Sequence, residues 1–295
     1  MNLSLLRKFS DDIDRLKPSV VGGKASSLVD LYQRGFPVPN GFIITTEAFE
    51  SFLRSLSNVN DQDILAQIIE SSDYFKTNMT EISQKIIASE IPPELAEGIY
   101  SSFASLNTVS VAVRSSATSE DGGRYSYAGQ YESFLGVAKG DILSKVKFCW
   151  NSLFSRRALT YSKGAKNIGK MAVIIQEMVM ADISGACFSM DPVSCDKNTI
   201  IIELVRGLGD SLMQGTVVPD RYMVCKETLI IKEKHVNMDT MVDDDNIKEI
   251  AWLAVKIEKL YNKPMDIEWA MKNDKLYLLQ ARPITALESN EAFVR

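Results

Sequence analysis

The pattern of apolar and polar residues near the end of the chain predicts a β-hairpin. Apolar runs over 266–270 and 276–283 flank a polar break at Asn273-Asp274. A short polar break between two apolar runs is a typical hairpin signal. Because successive residues of a strand point to opposite faces, each run presents one apolar face and one polar face.

The polar faces of this hairpin carry groups that suit a metal or a phosphate. Asp266 and Glu268 share a face of the first strand, and Gln280 and Arg282 share a face of the second, with Leu279 opposite. Unpaired buried charge is costly, whereas carboxylate and amide oxygens suit Mg²⁺ and arginine suits phosphate. These residues alone leave two interpretations open, a Mg-nucleotide site and an amphipathic edge hairpin with a solvated charged face.

A second candidate site lies near the N-terminus, within residues 20–35, where a glycine pair opens a predicted helix. Gly22-Gly23 precedes apolar residues at helical spacing, and Gly35 ends the pattern as a C-terminal glycine does. The N–H groups and positive dipole of a helix start favour phosphate, and Lys24 adds a full charge. The pattern is not a Walker A loop, so an ordinary turn is the alternative.

Residues 110–137 predict two strands joined by a loop of small and hydroxyl residues. The strands cover 111–116 and 131–137. The loop 117–130 can fold over a polyphosphate, because glycine permits close approach and N–H and O–H groups donate hydrogen bonds. Arg114, at the root of the loop, can fork onto phosphate oxygens. An exposed hairpin loop is the alternative interpretation.

The remaining patterns predict mainly helices before residue 165 and mainly strands after residue 184. Predicted helices cover 47–56 with Thr46 as cap, 60–104 with a break at Pro92-Pro93, 141–164 and 246–261. Predicted strands follow Gly41 and cover 171–179, 184–190, 199–205, 221–225 and 228–232. We expect a hinge near 178–182, where backbone groups can bind an adenine edge with Gln176 nearby.

Composition narrows the class of protein. The 295 residues are 45% hydrophobic and 24% charged, with a net charge of −5 and no lysine- or arginine-rich block. This argues against a nucleic-acid or anionic-membrane surface. The sequence has no 18-residue apolar run for a transmembrane helix and no secretory leader pattern, so we expect a cytoplasmic protein without nucleic-acid or membrane partners.

Cysteine and histidine usage argues against zinc and against histidine-based triads. The four cysteines form no C-x-x-C pair, and His235 is the only histidine. Isolated cysteines are typical of buried thiols in a reducing compartment. Because the neighbours of His235 are polar and loop-like, we expect it at the surface rather than in a catalytic triad.

Taken together, the motifs resemble a known family. They occur in one order along the chain: Val21-Gly22-Gly23-Lys24, Val38-Pro39-Asn40-Gly41-Phe42, Val113-Arg114-Ser115-Ser116-Ala117-Thr118-Ser119-Glu120-Asp121, Ala128-Gly129-Gln130, Gln176-Glu177-Met178-Val179, Gly207-Leu208-Gly209, Gln214-Gly215, Pro219-Asp220, Asp266-Ile267-Glu268-Trp269 and Gln280-Ala281-Arg282-Pro283. In this order they are similar to the N-terminal ATP-binding domain of the phosphoenolpyruvate synthase, pyruvate phosphate dikinase and rifampin phosphotransferase family. Each motif is modest, but ten in one order are specific.

The resemblance implies an α+β fold of the ATP-grasp type. It implies two subdomains, over 1–180 and 181–295, with the nucleotide in the cleft between them. Lys24, Arg114 and Arg282 would be the catalytic residues that hold and neutralise the phosphates. Most of the remaining ATP-binding residues are implied by the same resemblance: Gly129 and Ser133 over the phosphates, and Gln176 with the backbone from Glu177 to Val179 around adenine.

The resemblance also implies a metal and partners. Glu268 and Gln280 would ligate Mg²⁺, or Mn²⁺ in its place, with Asp266 beside them. In the complete family enzymes this domain transfers the β,γ-phosphates of ATP to a histidine on a mobile domain and releases AMP. Here the phosphohistidine motif, a glycine-rich turn before Thr/Cys-His, and the acceptor domain are absent from the sequence. We therefore expect a phosphohistidine-carrying domain or subunit and an acceptor-binding domain or subunit encoded elsewhere.

Two other functions stay open at this point. One is a self-contained ATP-grasp kinase or ligase that phosphorylates a small molecule directly. The other is a non-catalytic nucleotide-sensing module. The intact set of Lys24, Arg114, Glu268, Gln280 and Arg282 argues against a sensor, because a sensor has no need of both metal ligands and every phosphate cation.

Overall fold

The computed structural model describes residues 5–56, 72–118, 132–154, 169–213, 215–236 and 242–284. The chain divides into two units. The first unit comprises Met1–Arg34 and Asn40–Met178, and the second comprises Gly35–Pro39 and Val179–Arg295. The short segment Gly35–Pro39 therefore belongs to the second unit, although parts of the first unit flank it in sequence.

An antiparallel sheet forms the centre of the first unit. Its strands are β1 (Leu6–Lys8), β2 (Gly41–Ile44), β3 (Ser110–Ala117), β4 (Ser133–Ala138) and β5 (Met171–Glu177). They lie in the order β1-β2-β5-β3-β4, and all neighbours are antiparallel. The helices of this unit are α1 (Pro18–Val21), α2 (Gly23–Gln33), α3 (Thr46–Leu56), α4 (Ser72–Ala88), α5 (Pro93–Ser105) and α6 (Ile142–Ser152), with 3-10 turns at Ile13–Arg15 and Lys139–Asp141.

The hydrophobic core of the first unit lies on one face of this sheet. Val111 and Val113 of β3 and Ile175 of β5 point into it, together with apolar side chains of α3, α4, α5 and α6. Trp150 of α6 is fully buried and stacks on Phe52 of α3, with ring centroids 4.8 Å apart. Because side chains alternate along a strand, the residues between these valines point to the opposite face.

Helix α2 lies on that opposite face. The Oγ of Ser116 in β3 accepts a hydrogen bond of 3.0 Å from the N–H of Ala25, in the first turn of α2. This bond satisfies one of the N–H groups that a helix start leaves without an intrahelical acceptor. Gly22, the N-cap residue, has a φ of 76°, and a Cβ there would lie 2.2 Å from the Ser116 carbonyl oxygen. Only glycine permits this conformation and approach.

A second antiparallel sheet forms the centre of the second unit. Its strands are β6 (Ile183–Phe188), β7 (Thr199–Arg206), β8 (Asp220–Cys225), β9 (Ile231–His235), β10 (Met265–Lys272) and β11 (Lys275–Pro283). They lie in the order β11-β10-β6-β7-β8-β9. The helices are α7 (Asp210–Met213) and α8 (Asp244–Tyr261). α8 packs on β6, β7, β8 and β10 through a buried stripe that includes Ile250 and Ile257.

The structure corrects the predicted start of α3. The cap is Thr45, whose Oγ1 accepts a hydrogen bond of 3.3 Å from the Ala48 N–H. Thr46 was predicted as the cap, but it is the first helical residue, and its hydroxyl donates to the Ser19 carbonyl over 3.0 Å. Two adjacent threonines carry the same capping chemistry, so the sequence alone could not separate them.

The structure also corrects the strand predicted over 228–232. The chain turns at Leu229, which has a φ of 56°, and β9 runs from Ile231 to His235. His235 therefore ends an edge strand rather than lying in a loop. It is exposed, as predicted, and its Nε2 lies 2.8 Å from Glu233 Oε1.

Some predictions fall partly or wholly on residues outside the described ranges. α6 ends at Ser152, and residues 155–164 of the helix predicted there lie outside the described residues. The structure describes the predicted phosphate-covering loop only as far as residue 118. The rest of the loop, including Gly129, lies outside the described residues. In the part of the chain that the structure describes, no helix combines the length and apolar character needed to cross a membrane.

Candidate functional site

The hairpin predicted from the sequence is present in the second unit, and its polar side chains face one another. β10 and β11 pair antiparallel, with Glu268 directly opposite Gln280 and Asp266 directly opposite Arg282. Residues directly opposite in an antiparallel pair project from the same face. All four therefore share one face of the sheet, opposite the face that buries Trp269. The predicted shared polar surface is confirmed.

A bulge in β11 accompanies this arrangement. Trp269 lies opposite Leu278, whereas the preceding residue, Glu268, lies opposite Gln280. β11 therefore has one extra residue, Leu279, between the two pairs. An extra residue in one strand changes which face the following side chains occupy. Gln280 thus reaches the polar face although Leu278, two residues before it, points into the core.

The sequence contained a signal for this bulge that the prediction missed. Leu276 and Leu278 are 5% and 0% exposed, and they share the even spacing of Gln280. A regular strand cannot bury both leucines and also turn the amide to the opposite face. The register shift at Leu279 is the feature that regular alternation did not predict.

Asp266 and Arg282 form an ion pair on the polar face. Both Nε and Nη2 of Arg282 donate to Asp266 Oδ2, over 2.9 and 2.6 Å. Burial raises the pKa of the Asp266 carboxyl, Arg282 opposes this by favouring the charged form, and the negative charge of Glu268 raises the pKa further. The pair fixes the direction of the guanidinium and engages one carboxylate oxygen of Asp266.

The polar surface extends across the sheet to residues that sequence reasoning did not single out. Glu268 lies opposite Ala186 of β6, which lies opposite Glu203 of β7, and Glu203 lies opposite Arg221 of β8. These side chains share the face of Glu268. Glu203 interrupts the apolar run over 200–205 of this strand, and a lone carboxylate in such a run is the signal that identifies it.

The Gly207-Leu208-Gly209 motif is attached to the start of β6. The Ser184 hydroxyl donates to the Gly207 carbonyl over 2.6 Å, and the Gly207 N–H donates to the Asp182 carbonyl over 2.8 Å. Ser184 alternates in step with Ala186 along β6 and so lies on the polar face. The two hydrogen bonds to Gly207 therefore hold the turn after β7 next to the polar face of the sheet.

Lys24 occupies the first turn of α2 in the first unit. Gly22 is the N-cap and Lys24 the second helical residue, next to Ala25, whose N–H is bonded by Ser116. Lys24 is half-buried. The glycine-led helix start predicted from the sequence is confirmed, and it places an ammonium group where the helix dipole is positive.

Three other predicted residues lie on the sheet face that carries α2. Arg114 and Ser116 are alternate residues of β3 and share this face. Ser133 of β4 lies directly opposite Arg114, and Gln176 of β5 lies directly opposite Ala112 of β3. Gln176 is 2% exposed, Arg114 is half-buried and Ser133 is exposed. The structure thus brings a cation, a hydroxyl and an amide to the face where Lys24 begins its helix.

The two buried cysteines are not suited to nucleophilic chemistry. Burial raises the pKa of the Cys149 thiol, as does Glu132, and Lys24 only partly opposes this. Burial also raises the pKa of the Cys187 thiol, as does Asp266. Both thiols therefore stay protonated, and a thiol is a poor nucleophile compared with its thiolate.

The backbone predicted to frame adenine is partly engaged within the first unit. The Glu177 N–H donates to the Asn40 carbonyl over 2.9 Å, and the Met178 N–H donates to the Ser110 carbonyl over 3.2 Å. These two N–H groups are therefore engaged within the first unit.

The chemistry of the hairpin fits a hard divalent cation. Glu268 and Gln280 supply a carboxylate and an amide oxygen from directly opposite positions, and Mg²⁺ is usually held by one or two such groups together with substrate phosphates and water. Among the described ranges there is no group of three or more His, Cys, Asp or Glu residues suited to a metal. A metal at this hairpin would therefore take further ligands from a phosphate and from water.

Known proteins with similar sequences were compared with this chain. The family model described as pyruvate phosphate dikinase, AMP/ATP-binding domain, matches residues 18–242 and 234–293. A probable phosphoenolpyruvate synthase of Methanocaldococcus jannaschii is 33% identical, over 95% of this chain and 27% of its own length. The phosphoenolpyruvate synthase of Pyrococcus furiosus is 33% identical, over 95% of this chain and 44% of its own. The uncharacterized phosphotransferase YvkC of Bacillus subtilis is 33% identical, over 92% of this chain and 34% of its own length.

The chain thus spans less than half of the length of each of these relatives. The family match covers most of the chain and both units, and it agrees with the mixed helix-and-sheet architecture. The expected α+β fold of the ATP-grasp type is confirmed. The chain belongs to the family of the pyruvate phosphate dikinase AMP/ATP-binding domain.

Proposed function

We propose that this chain binds Mg-ATP and transfers its β,γ-phosphates to a histidine of a separate domain or subunit, with release of AMP. Membership of the family supports an ATP-binding phosphotransferase module. Relatives that bear the name phosphoenolpyruvate synthase extend beyond the matched part, which supports assigning the histidine and the final acceptor to other domains or subunits.

The observation that carries the proposal is the pairing on the hairpin. A carboxylate and an amide, Glu268 and Gln280, face each other beside an arginine that Asp266 orients. Glu268 and Gln280 would hold the metal, which when bound neutralises and orients phosphate charge. Arg282 would stabilise the negative charge that develops on the transferring phosphates.

The first unit would bind the rest of the nucleotide. Lys24 and Arg114 would hold phosphate oxygens, because an ammonium at a helix start and a forked guanidinium both suit them. Ser133, opposite Arg114, and Gly129 would contribute to covering the phosphates. Gln176 and the 177–179 backbone, through groups other than the Glu177 and Met178 N–H, would bind adenine.

The test uses ATP labelled at the β-phosphate. The chain is incubated with this ATP and Mg²⁺, with and without an extract of the source cells. We expect a protein in the extract to become labelled at an acid-labile, base-stable bond, which is the behaviour of phosphohistidine, with AMP as the nucleotide product. Omitting Mg²⁺ is expected to abolish both signals.

The same experiment distinguishes the alternatives. ADP formation with label only in a small molecule would overturn histidine transfer in favour of a self-contained kinase or ligase. Tight ATP binding with no AMP or ADP formed, with or without extract, would favour a non-catalytic nucleotide-sensing module.

A further inference from the structure

The bulge in β11 lies at the step between the core and the candidate metal site. On one side of it, Leu278 lies opposite Trp269, and both are buried. On the other side, Gln280 lies opposite Glu268 on the polar face. Leu279 is the extra residue between these pairs. A bulge at this position affects the directions in which Glu268 and Gln280, the two proposed metal ligands, project.

Strand β10 is regular at this point. It pairs with β6 from Asp266 to Met271 without a shift in register, with Trp269 opposite Gly185. Trp269 is 1% exposed, and a Cβ on Gly185 would lie 2.9 Å from its ring and 2.0 Å from the Glu203 carbonyl oxygen. Glycine at this position therefore gives the indole its space and permits the close approach of the Glu203 carbonyl oxygen. The irregularity belongs to β11 alone.

Strand β11 is also held from its outer edge. The Leu278 N–H donates to the Pro37 carbonyl over 2.9 Å, and Pro37 belongs to the segment Gly35–Pro39 of the same unit. The backbone is thus fixed just before the extra residue, Leu279. Any bend that the extra residue causes is passed to the residues that follow it, starting with Gln280.

We propose that the Leu279 bulge, with Trp269 seated on Gly185, is a positioning device that aims the Gln280 amide at the metal beside Glu268. The inference rests on the proposed function. A strand without Leu279 would keep both flanking pairs and would alternate regularly. Deletion of Leu279 would therefore remove the bulge and still leave Gln280 on the polar face.

What a bulge adds is a local bend and a stronger twist, which redirect the side chains beyond it. Mg²⁺ demands nearly ideal octahedral geometry. A change in the direction of the Gln280 amide relative to the Glu268 carboxylate therefore decides whether both groups can ligate one ion.

The test is Mn²⁺ binding in the presence of a non-hydrolysable ATP analogue, measured by electron paramagnetic resonance. Deletion of Leu279 is expected to weaken Mn²⁺ binding roughly 10- to 100-fold, the range for groups that orient metal ligands. Thermal unfolding, and binding of the analogue in EDTA, are expected to match those of the wild type. Leu279→Ala keeps the extra residue, so this matched control is expected to bind Mn²⁺ like the wild type.

Wild-type Mn²⁺ affinity in the deletion variant would overturn the inference and leave the proposed function standing. An equal loss in Leu279→Ala would do the same, since it would assign the effect to the side chain rather than to the bulge. If the deletion prevents folding, Trp269→Phe decides: weaker Mn²⁺ binding by the folded variant supports the inference, and unchanged binding overturns it. A wild-type chain that binds no Mn²⁺ with the analogue would overturn the proposed function itself.

Discussion

Glu268 and Gln280 face each other across β10 and β11, directly beside the register shift of the hairpin. Gln280 is only 5% exposed. A buried amide requires hydrogen-bonding or metal partners to offset its desolvation. The Glu268 carboxylate, on the neighbouring strand, favours the binding of a cation beside Gln280. The predictions about activity start from this pair.

Replacement of Glu268 by glutamine should remove the negative charge of a proposed metal ligand and keep the shape of the side chain. We expect Mn²⁺ binding with a non-hydrolysable ATP analogue to weaken at least about tenfold, because the affinity of hard cations follows the charge of their oxygen ligands. Turnover should fall with it. Glu233→Gln, on the exposed edge strand β9, is the matched control. Equal Mn²⁺ affinity in Glu268→Gln and wild type would contradict the assignment of this residue as a ligand.

The ion pair between Asp266 and Arg282 predicts a different effect. Because both nitrogen donors of the arginine converge on Asp266 Oδ2, we expect Asp266 to orient the guanidinium rather than to ligate the metal. Asp266→Asn should then lower turnover about tenfold or more, as loss of an orienting partner does, while Mn²⁺ affinity stays close to wild type. Arg282→Lys should behave similarly, since lysine cannot reproduce the fork. A loss of Mn²⁺ affinity in Asp266→Asn like that of Glu268→Gln would identify Asp266 as a ligand instead.

Periodicity predicted much of the fold and of the hairpin. The alternation over 266–270, the Asn273-Asp274 break and the glycine-led start of α2 each follow from local backbone rules, and the structure confirms them. Local rules were sufficient here because partners in a hairpin, or in one helix turn, are close in sequence.

Features that depend on distant parts of the chain could not be predicted in the same way. Ser116 satisfies the Ala25 N–H from 91 residues away, and Glu203 joins the face of Glu268 only through the register of β6. The packing of α2 on the sheet sets the first relationship and the order of strands sets the second, and no spacing in the sequence encodes either. The bulge at Leu279 is intermediate, because the conflict between the spacing of the leucines and that of Gln280 is local, whereas its outcome depends on the pairing with β10.

Asp191 predicts a dependence of stability on pH. Its pKa is lowered from 3.8, chiefly by the hydrogen bond from the Ser194 hydroxyl, against the effect of burial. The unfolded chain therefore binds this proton at a higher pH than the folded chain, so stability rises with pH across the interval. The contribution of ionised Asp191 to the free energy of unfolding is complete above the ordinary pKa of the carboxyl. It is lost as the pH falls through the lowered pKa of the folded state.

This is checked with urea unfolding of wild type and Asp191→Asn at several pH values. The difference in the free energy of unfolding should shrink as pH falls from about 6 to about 2.5. Ser194→Ala should reduce the pH dependence partly, because the Val193 N–H still donates to Asp191 over 2.9 Å. A difference that stays constant with pH would show that Asp191 acts through its shape alone.

A half-buried ion pair joins the turn after β8 to α8 and predicts a measurable coupling energy. Lys226 Nζ donates to both carboxylate oxygens of Glu258 over 2.9 Å, and the two side chains are 16% and 24% exposed. A double-mutant cycle with Lys226→Met and Glu258→Gln should give about 1 kcal/mol, at the upper end for pairs near the surface. The same cycle for Lys248 and Asp245, which are far more exposed, should give a clearly smaller coupling energy. Equal coupling in both cycles would contradict the role of burial.

The last prediction concerns the cap that β3 provides for α2. Ser116 is fully buried, so water cannot readily replace its hydroxyl when Ser116→Ala leaves the Ala25 N–H without this acceptor. The free energy of unfolding should fall by about 1–2 kcal/mol, the range for loss of a helix cap or a buried hydrogen bond. Amide exchange at Ala25 should become faster.

Because Lys24 directly precedes Ala25, ATP binding should weaken in the same variant even under conditions where the fold is intact. Ser105→Ala is the control, since its hydroxyl bonds a helix carbonyl at an exposed site. A Ser116→Ala protein with wild-type stability and wild-type Ala25 exchange would show that the hydrogen bond from β3 does not hold the start of α2. A variant that is destabilised but binds ATP as wild type does would separate the cap from phosphate binding, and would place the phosphates away from Lys24.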